Sequence, residues 1–255
     1  MTTHLDRRGP HPTPRSGVVD TMRSALRGEL PERYVRPFDA EFWDVLRAEL
    51  RPDLTILDIG SGRRPTIPVG DRAGTTRYVG LDISRTELEA APDGSYDEIV
   101  VSDAAVFRPE LADRFDLAVS FQVFEHLDAV DVAFETLRRY LKPGGVLVTQ
   151  FSARYSIFGI VNRMLPHRVS KELLVRLLHR DPATIFPAPY DHCTYPALRE
   201  ILAPWSDWEI TPLYLAGQYF NFSRVAKAAY VGLEQQLYER DVRNLATYYI
   251  VRAVR

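Results

Sequence analysis

The chain has 255 residues, of which 45% are hydrophobic and 26% charged, with a formal net charge of −2. That length accommodates one α/β domain with a full core and insertions, and the charge excludes a global field that would draw in nucleic acid or acidic lipid. The single cysteine, Cys193, excludes an internal disulfide; with no signal-peptide core and no apolar run near the ~18 residues of a membrane span, a soluble cytoplasmic protein is expected.

Residues 1–16 carry three prolines and three arginines with almost nothing to bury, which predicts a disordered tail ahead of a domain over 17–255. Val18, Val19, Met22 and Leu26 recur at helical spacing before Pro31. A second helix is expected from Asp39 as N-cap, with Phe38 and Trp43 placed for a hydrophobic staple and Phe42, Leu46 and Leu50 on one face. These helices, within 17–53, would form an N-terminal cover. Strands and helices then alternate, the pattern of a parallel sheet. Strands are expected at 54–59, 77–81, 98–101, 115–120 and 146–151. Ser84-x-x-Glu87 reads as a capping box. Asp128 is the expected cap of a helix running to Leu141, stopped by Lys142-Pro143-Gly144-Gly145. Residues 152–190 read as an insertion with helices near 154–165 and 170–180. A helix at 195–202, a strand around 208–215 and a helix near 220–239 follow, the last with Phe222, Ala226, Ala229, Leu233 and Leu237 on one face. A β-forming run, Ala246–Val254, closes the chain.

The most informative stretch is Leu57-Asp58-Ile59-Gly60-Ser61-Gly62, an apolar strand breaking into a Gly-x-Gly turn. Glycine has no Cβ, so a nucleotide can approach such a turn closely. Asp82 ends the next strand 22 residues beyond Gly60, near the spacing at which a carboxylate holds a ribose diol. A dinucleotide fingerprint would want a third small residue where Pro65 stands, so a nicotinamide cofactor is disfavoured.

Taken in order, Leu54–Gly62, Tyr78–Asp82, Ser102-Asp103-Ala104, Phe115–Leu127 and Leu141–Val148 resemble the successive motifs of class I S-adenosylmethionine-dependent methyltransferases. The resemblance implies a Rossmann-like, seven-stranded, mostly parallel sheet with an antiparallel last strand, here joined by a helical lid insertion. It further implies S-adenosylmethionine held by Asp58, Gly60, Ser61, Gly62, Asp82, Ile83, Asp103, Ala104, Ser120, Phe121 and Gln122. In that arrangement Asp82 takes the ribose hydroxyls, Asp103 and Ala104 flank the adenine, and Ser120 to Gln122 floor the sulfonium. Asp58 acts on the amino group or on the turn itself. The family often has another glycine where Arg64 stands, which makes Arg63 or Arg64 a partner for the methionine carboxylate, and its N-terminal cover suggests contacts from Tyr34 and Arg36.

Methyl transfer from a sulfonium is an in-line displacement, to which a protein contributes alignment and water exclusion. A proton acceptor is needed only where the methyl acceptor must ionise. His126, in Glu125-His126-Leu127, and His192, in Asp191-His192-Cys193, are the candidates; the plainer reading makes both parts of helix-starting loops. No metal site is expected. Between 152 and 181 six cations face two anions, Glu172 and Asp181. Either a lid packs its apolar stripe on the core with solvated arginines, or it docks on anionic lipid or a phosphate-bearing, partly apolar substrate. A small-molecule, lipid-intermediate or glycan acceptor is expected, with oxygen as the methylated atom. Nucleic acid is disfavoured, since the basic residues concentrate in one insertion and no Asn-Pro-Pro-Tyr motif occurs. The rival class is a regulator or partner subunit that binds the cofactor without turnover.

Overall fold

A computed structural model describes residues 17–72, 74–157, 159–160 and 188–255. The 1–16 tail and most of the two insertion helices lie outside the described residues, and so do Arg163, Arg168, Lys171, Arg176 and Arg180.

Seven strands form one sheet: β1 (Thr55–Ile59), β2 (Arg77–Asp82), β3 (Glu98–Val101), β4 (Phe115–Phe121), β5 (Leu141–Ser152), β6 (Asp207–Leu213) and β7 (Tyr248–Val254), in the order β3-β2-β1-β4-β5-β7-β6. β1 pairs in parallel with β2 and β4, β2 with β3, and β4 with β5. β7 runs antiparallel to both β5 and β6. The order reverses between β1 and β4, the point at which an open α/β sheet leaves a crevice beyond its carboxyl ends. β5 starts earlier than its apolar run suggests. Leu141 already pairs with Phe115, and Lys142–Gly145 bulges out before Val146 rejoins the ladder at Leu117.

The helices are α1 (Val18–Arg27), α2 (Ala40–Glu49), α3 (Arg85–Glu89), α4 (Val130–Tyr140), α5 (Tyr195–Leu202) and α6 (Arg224–Glu239). Phe42 and Leu46 seat α2 on one face of the sheet against Ile56, Leu117, Val119 and Val148. Phe134, Leu137, Leu198 and Leu202 seat α4 and α5 on the other face with Phe151 and Tyr249. α1 lies along α6. No helix among the described residues is long and apolar enough to cross a membrane.

Local chemistry departs from the sequence reading in four places. Phe38 does not staple Trp43; its ring lies 5.8 Å from Phe121 and 6.0 Å from Tyr248. Asp39 takes the Trp43 indole N–H at 3.2 Å instead of capping the backbone. Ser84 does accept from Glu87 N–H at 3.3 Å, but the Glu87 carboxylate pairs with Arg63 and the Ser84 N–H goes to Asp82 at 2.8 Å. The N-terminus of α4 receives no side-chain cap from its own flank: Val130 N–H donates to Asp191, 3.3 Å away, and not to Asp128. The buried face of α6 also differs from the expected one. It is Ala228, Val231, Gly232 and Glu234, with Leu237 packed against the core as expected, while Phe222 and Leu233 point to solvent.

Candidate active site

A cleft of about 940 Å³ opens over the carboxyl ends of β1, β2 and β4, near the upper end of the ~300–1,000 Å³ usual for small-molecule sites. Its wall includes Gly60, Asp82, Ile83, Asp103, Ala104, Phe121, Gln122 and His126. Eight of the sequence-derived positions therefore meet on one surface. Asp58, Ser61, Gly62, Ser120 and His192 do not line it.

The bend after β1 explains part of that division. Gly60 has φ +67°, and a Cβ there would sit 2.5 Å from Val123 Cγ2. The glycine is thus required by the protein's own packing as well as by its backbone conformation. Asp58, fully buried, accepts from the Thr66 N–H and hydroxyl, both at 2.7 Å, and from the Tyr78 hydroxyl at 2.5 Å. Its carboxylate fixes the loop that follows the turn. Burial pushes its pKa up to about 6 against those three hydrogen bonds. The Tyr96 hydroxyl lies 2.7 Å from both Ser61 Oγ and the Gly62 carbonyl oxygen and latches the turn from outside. Gly80 makes room for that ring, since a Cβ there would lie 2.6 Å from it. Tyr96, Thr66, Tyr78 and Val123 are supports that no local motif announces. Their partners are 8 to 63 residues away along the chain.

At the tip of β2, half-buried Asp82 accepts from Ser84 N–H at 2.8 Å, and burial raises its pKa. Asp103 is exposed and takes Ala105 N–H at 2.8 Å. Arg63 is bound to Glu87 through two contacts of 2.7 and 2.5 Å, whereas Arg64 lines the cleft. Tyr34 and Arg36 do not reach it: Arg36 pairs with Asp44, and Tyr34 bonds Glu234. Phe38 is the residue of the N-terminal cover that does.

The far end is aromatic. Phe38, Phe121, Leu215, Tyr219 and Tyr248 face the cavity, and the Tyr219 and Tyr248 hydroxyls hydrogen-bond to each other. After β4 a 3-10 turn, Phe124–His126, brings His126 into the same wall. Glu125 also borders the cavity, though it is only 3% exposed. Its Oε1 accepts from Ser152 N–H at 3.2 Å, its carbonyl from Tyr190 N–H at 3.2 Å, and Oε2 has no partner among the described residues. Burial raises the pKa of this acid. Gln122, at φ 58°, likewise keeps Nε2 buried without a partner.

His192 stands apart. Its Nδ1 lies 2.5 Å from Asp191 Oδ2, a contact that raises the imidazole pKa. Asp131, Asp191 and His192 bring one ligand atom each within 4.8 Å at the surface, with Asp191 already occupied by α4 and by His192.

Residues 29–203 match the family described as methyltransferase domain. Over 98 residues, 37% of this chain and 38% of the relative, the sequence is 35% identical to the ubiquinone biosynthesis O-methyltransferase of Chelativorans sp. (strain BNC1). The chain thus spans well under half the length of that curated relative. Among solved structures, an S-adenosylmethionine dependent methyltransferase from Mesorhizobium loti superposes with a TM-score of 0.51 at 18% identity, over 85% of this chain and 98% of that one. A geranyl diphosphate C-methyltransferase from Streptomyces coelicolor A3(2) does so with a TM-score of 0.51 at 16% identity, over 85% and 76%. At those identities the likeness is one of fold. The family match covers more than half of the chain, and with the sheet order and the cleft it places this protein among the S-adenosylmethionine-dependent methyltransferases, as a member of the methyltransferase domain family.

Proposed function

We propose that the protein methylates a hydroxyl of a small, partly apolar molecule, with the cofactor along the β1–β3 tips and the acceptor against the aromatic wall. The observation that carries this reading is one cleft with acids over the β2 and β3 tips and an aromatic group over β4, β5 and β7, with Gln122 and His126 in the same wall. When bound, S-adenosylmethionine supplies a methyl group on a sulfonium, already activated for displacement. Asp82 retains acceptor capacity for a ribose diol beside its bond to Ser84. Asp103 and the Ala104 backbone bracket the base, Ile83 covers one side of it, and Arg64 is the cation for the methionine carboxylate. Gly60, Phe121 and Gln122 floor the sulfonium end; Gln122 Nε2, without a partner among the described residues while Oε1 accepts from Ser152, supports a polar ligand there. Asp58, Ser61, Gly62 and Ser120 act from behind the wall.

His126 takes the proton from the acceptor hydroxyl, and Glu125 fixes the turn that presents it through its bonds to Ser152 and Tyr190. Alignment along the sulfonium and exclusion of water are the remaining contributions. Residues 17–255 act as one domain, with 17–53 as cover. The described ends of the 152–190 stretch, Ser152 and Ala188 to Tyr190, border the cleft, which supports a part for that insertion in receiving the acceptor. The curated relative is named for an oxygen acceptor, which supports the choice of atom.

Calorimetry with S-adenosylhomocysteine tests the cofactor half. Asp82→Asn is expected to weaken binding by about 1.5–3 kcal/mol, the range for a hydrogen bond to a charged group. Unchanged affinity in a folded variant overturns the ribose assignment. S-adenosylhomocysteine release with a panel of phenols, prenylated phenols and matched amines tests the acceptor half. Turnover of the amines alone would refute oxygen methylation, and no turnover with saturated cofactor would favour the non-catalytic rival.

A further inference from the structure

Glu234, on α6, is 1% exposed, and among the described residues four hydrogen-bond donors converge on its carboxylate beside the Arg33 charge. Oε1 takes the Ala216 N–H at 2.8 Å and the Thr247 hydroxyl at 2.7 Å. Oε2 takes the Gly217 N–H at 3.3 Å and the Tyr34 hydroxyl. Tyr34 Oη also lies 3.3 Å from the Gly217 N–H, so that donor is shared. A Cβ on Gly217 would sit 2.7 Å from Tyr34 Oη and 2.8 Å from Val231. Only a glycine lets the tyrosine and the helix close on the backbone at this point.

The segments tied together here are those that shape the aromatic end of the cleft. Ala216 and Gly217 open the 3-10 turn Ala216–Phe220, which carries Gln218 and Tyr219 into the cavity wall. Thr247 directly precedes Tyr248, and its Oγ1 accepts from Leu215 N–H at 3.1 Å. Tyr34 belongs to the same cover as Phe38, which lines the cleft. None of the four bonds reaches the β1–β3 tips. A carboxylate whose two oxygens collect four donors is demanding about its own chemistry: an amide would turn an N–H₂ group toward two of them.

We propose that Glu234 is a positioning residue for the acceptor wall. It sets the Tyr219–Tyr248 pair in place without touching either ring, and it leaves the cofactor end unaffected. The inference rests on the reading that the aromatic end receives the acceptor, but its structural content can be tested separately.

The test uses the full chain labelled with 3-fluorotyrosine, with the Tyr219 and Tyr248 fluorine resonances assigned by Tyr219→Phe and Tyr248→Phe. In Glu234→Gln both resonances should shift or broaden. Amides 215–220 should exchange with deuterium at least ten-fold faster, while affinity for S-adenosylhomocysteine stays within two-fold of wild type. Tyr34→Phe, which removes one donor and keeps the carboxylate, should produce a smaller change in the same residues. It decides the matter if Glu234→Gln does not fold. Unmoved tyrosine signals and amide rates in a folded variant overturn the proposal. So does faster exchange spread over β1–β3 with loss of cofactor-product affinity, because Glu234 would then be a general stabiliser. Failure of wild type to bind S-adenosylhomocysteine would sink the cofactor reading alone, with the fluorine signals still reporting on Glu234.

Discussion

Gly60→Ala separates two reasons for a glycine at the end of β1. A glycine needed only for ligand approach could be replaced with no effect on the stability of the ligand-free protein. The geometry says otherwise. At φ +67° alanine enters the left-handed region, which costs about 1–2 kcal/mol. Its Cβ would also meet the two Val123 methyls at 2.5 and 2.6 Å, an overpacking that costs about 1–3 kcal/mol. The single substitution should therefore destabilise by about 2–5 kcal/mol, read from urea midpoints at constant m-value. Val123→Ala removes both methyls and leaves only Val123 Cβ at 3.1 Å, tight but open to a small adjustment. The double variant should then recover the packing part, about 1–3 kcal/mol, and retain the backbone part of about 1–2 kcal/mol. A single-variant loss under about 0.5 kcal/mol, the usual scale of a neutral surface change, would refute the packing argument. Strict additivity of the two substitutions would refute it as well.

Asp191→Ala should destabilise the protein by about 0.5–2 kcal/mol, the scale of a lost cap, because Asp191 takes the Val130 N–H of α4; Asp128→Ala should stay within about 0.5 kcal/mol, and paired denaturation curves check the ordering. Asp58 gives a pH signature. Its folded pKa of about 6 exceeds the ordinary 3.8, so the native state binds the extra proton, and stability from this group, full below pH ~4, is lost as pH rises through ~6, by about 3 kcal/mol. Asp58→Asn should flatten that slope relative to wild type in urea midpoints taken from pH 4 to 7, and parallel profiles would contradict the assignment.

Elements whose signals are local were legible. β3 falls at 98–101 and α5 at 195–202, as read. In α5 the cap is Thr194, accepting from Ala197 N–H at 3.4 Å, with Pro196 in the first turn, and both cues lie within three residues of the start. The carboxylates at strand tips, Asp82 and Asp103, were legible because strand ends can be counted. α6 was misread for a physical reason. A stripe of large apolar residues marks the core face only where a helix packs through large residues. α6 instead packs through Ala228, Val231 and Gly232, where a Cβ on Gly232 would come within 2.9 Å of the Val18 carbonyl oxygen in α1. Close approach of two backbones favours small residues and leaves Phe222 and Leu233 outside. The cap of α4 was missed because the true donor–acceptor pair spans 61 residues, while Asp128 stood beside the helix in sequence.

The acids of this protein divide along the same line. Asp82 and Asp103 sit at strand tips with access to the cleft. Asp58, Glu125 and Glu234 are buried, and each accepts main-chain N–H groups of segments that border the cleft. Position along the strands marks the first set, whereas in the second Asp58 reads equally as a contact of the ligand or of the turn, and Glu234 carries no local motif. Burying a carboxylate is unfavourable unless donors converge on it. A buried acid that accepts main-chain N–H groups therefore ties together segments that no ladder or cap joins by itself. Asp58 holds the loop after β1 at Thr66, Glu125 ties the β4–α4 turn to Ser152 at the end of β5, and Glu234 holds the 216–220 turn, each on the cleft or directly behind it. Replacing these acids should change where cleft residues stand before it changes how a ligand is charged against them, and this distinguishes them experimentally from Asp82.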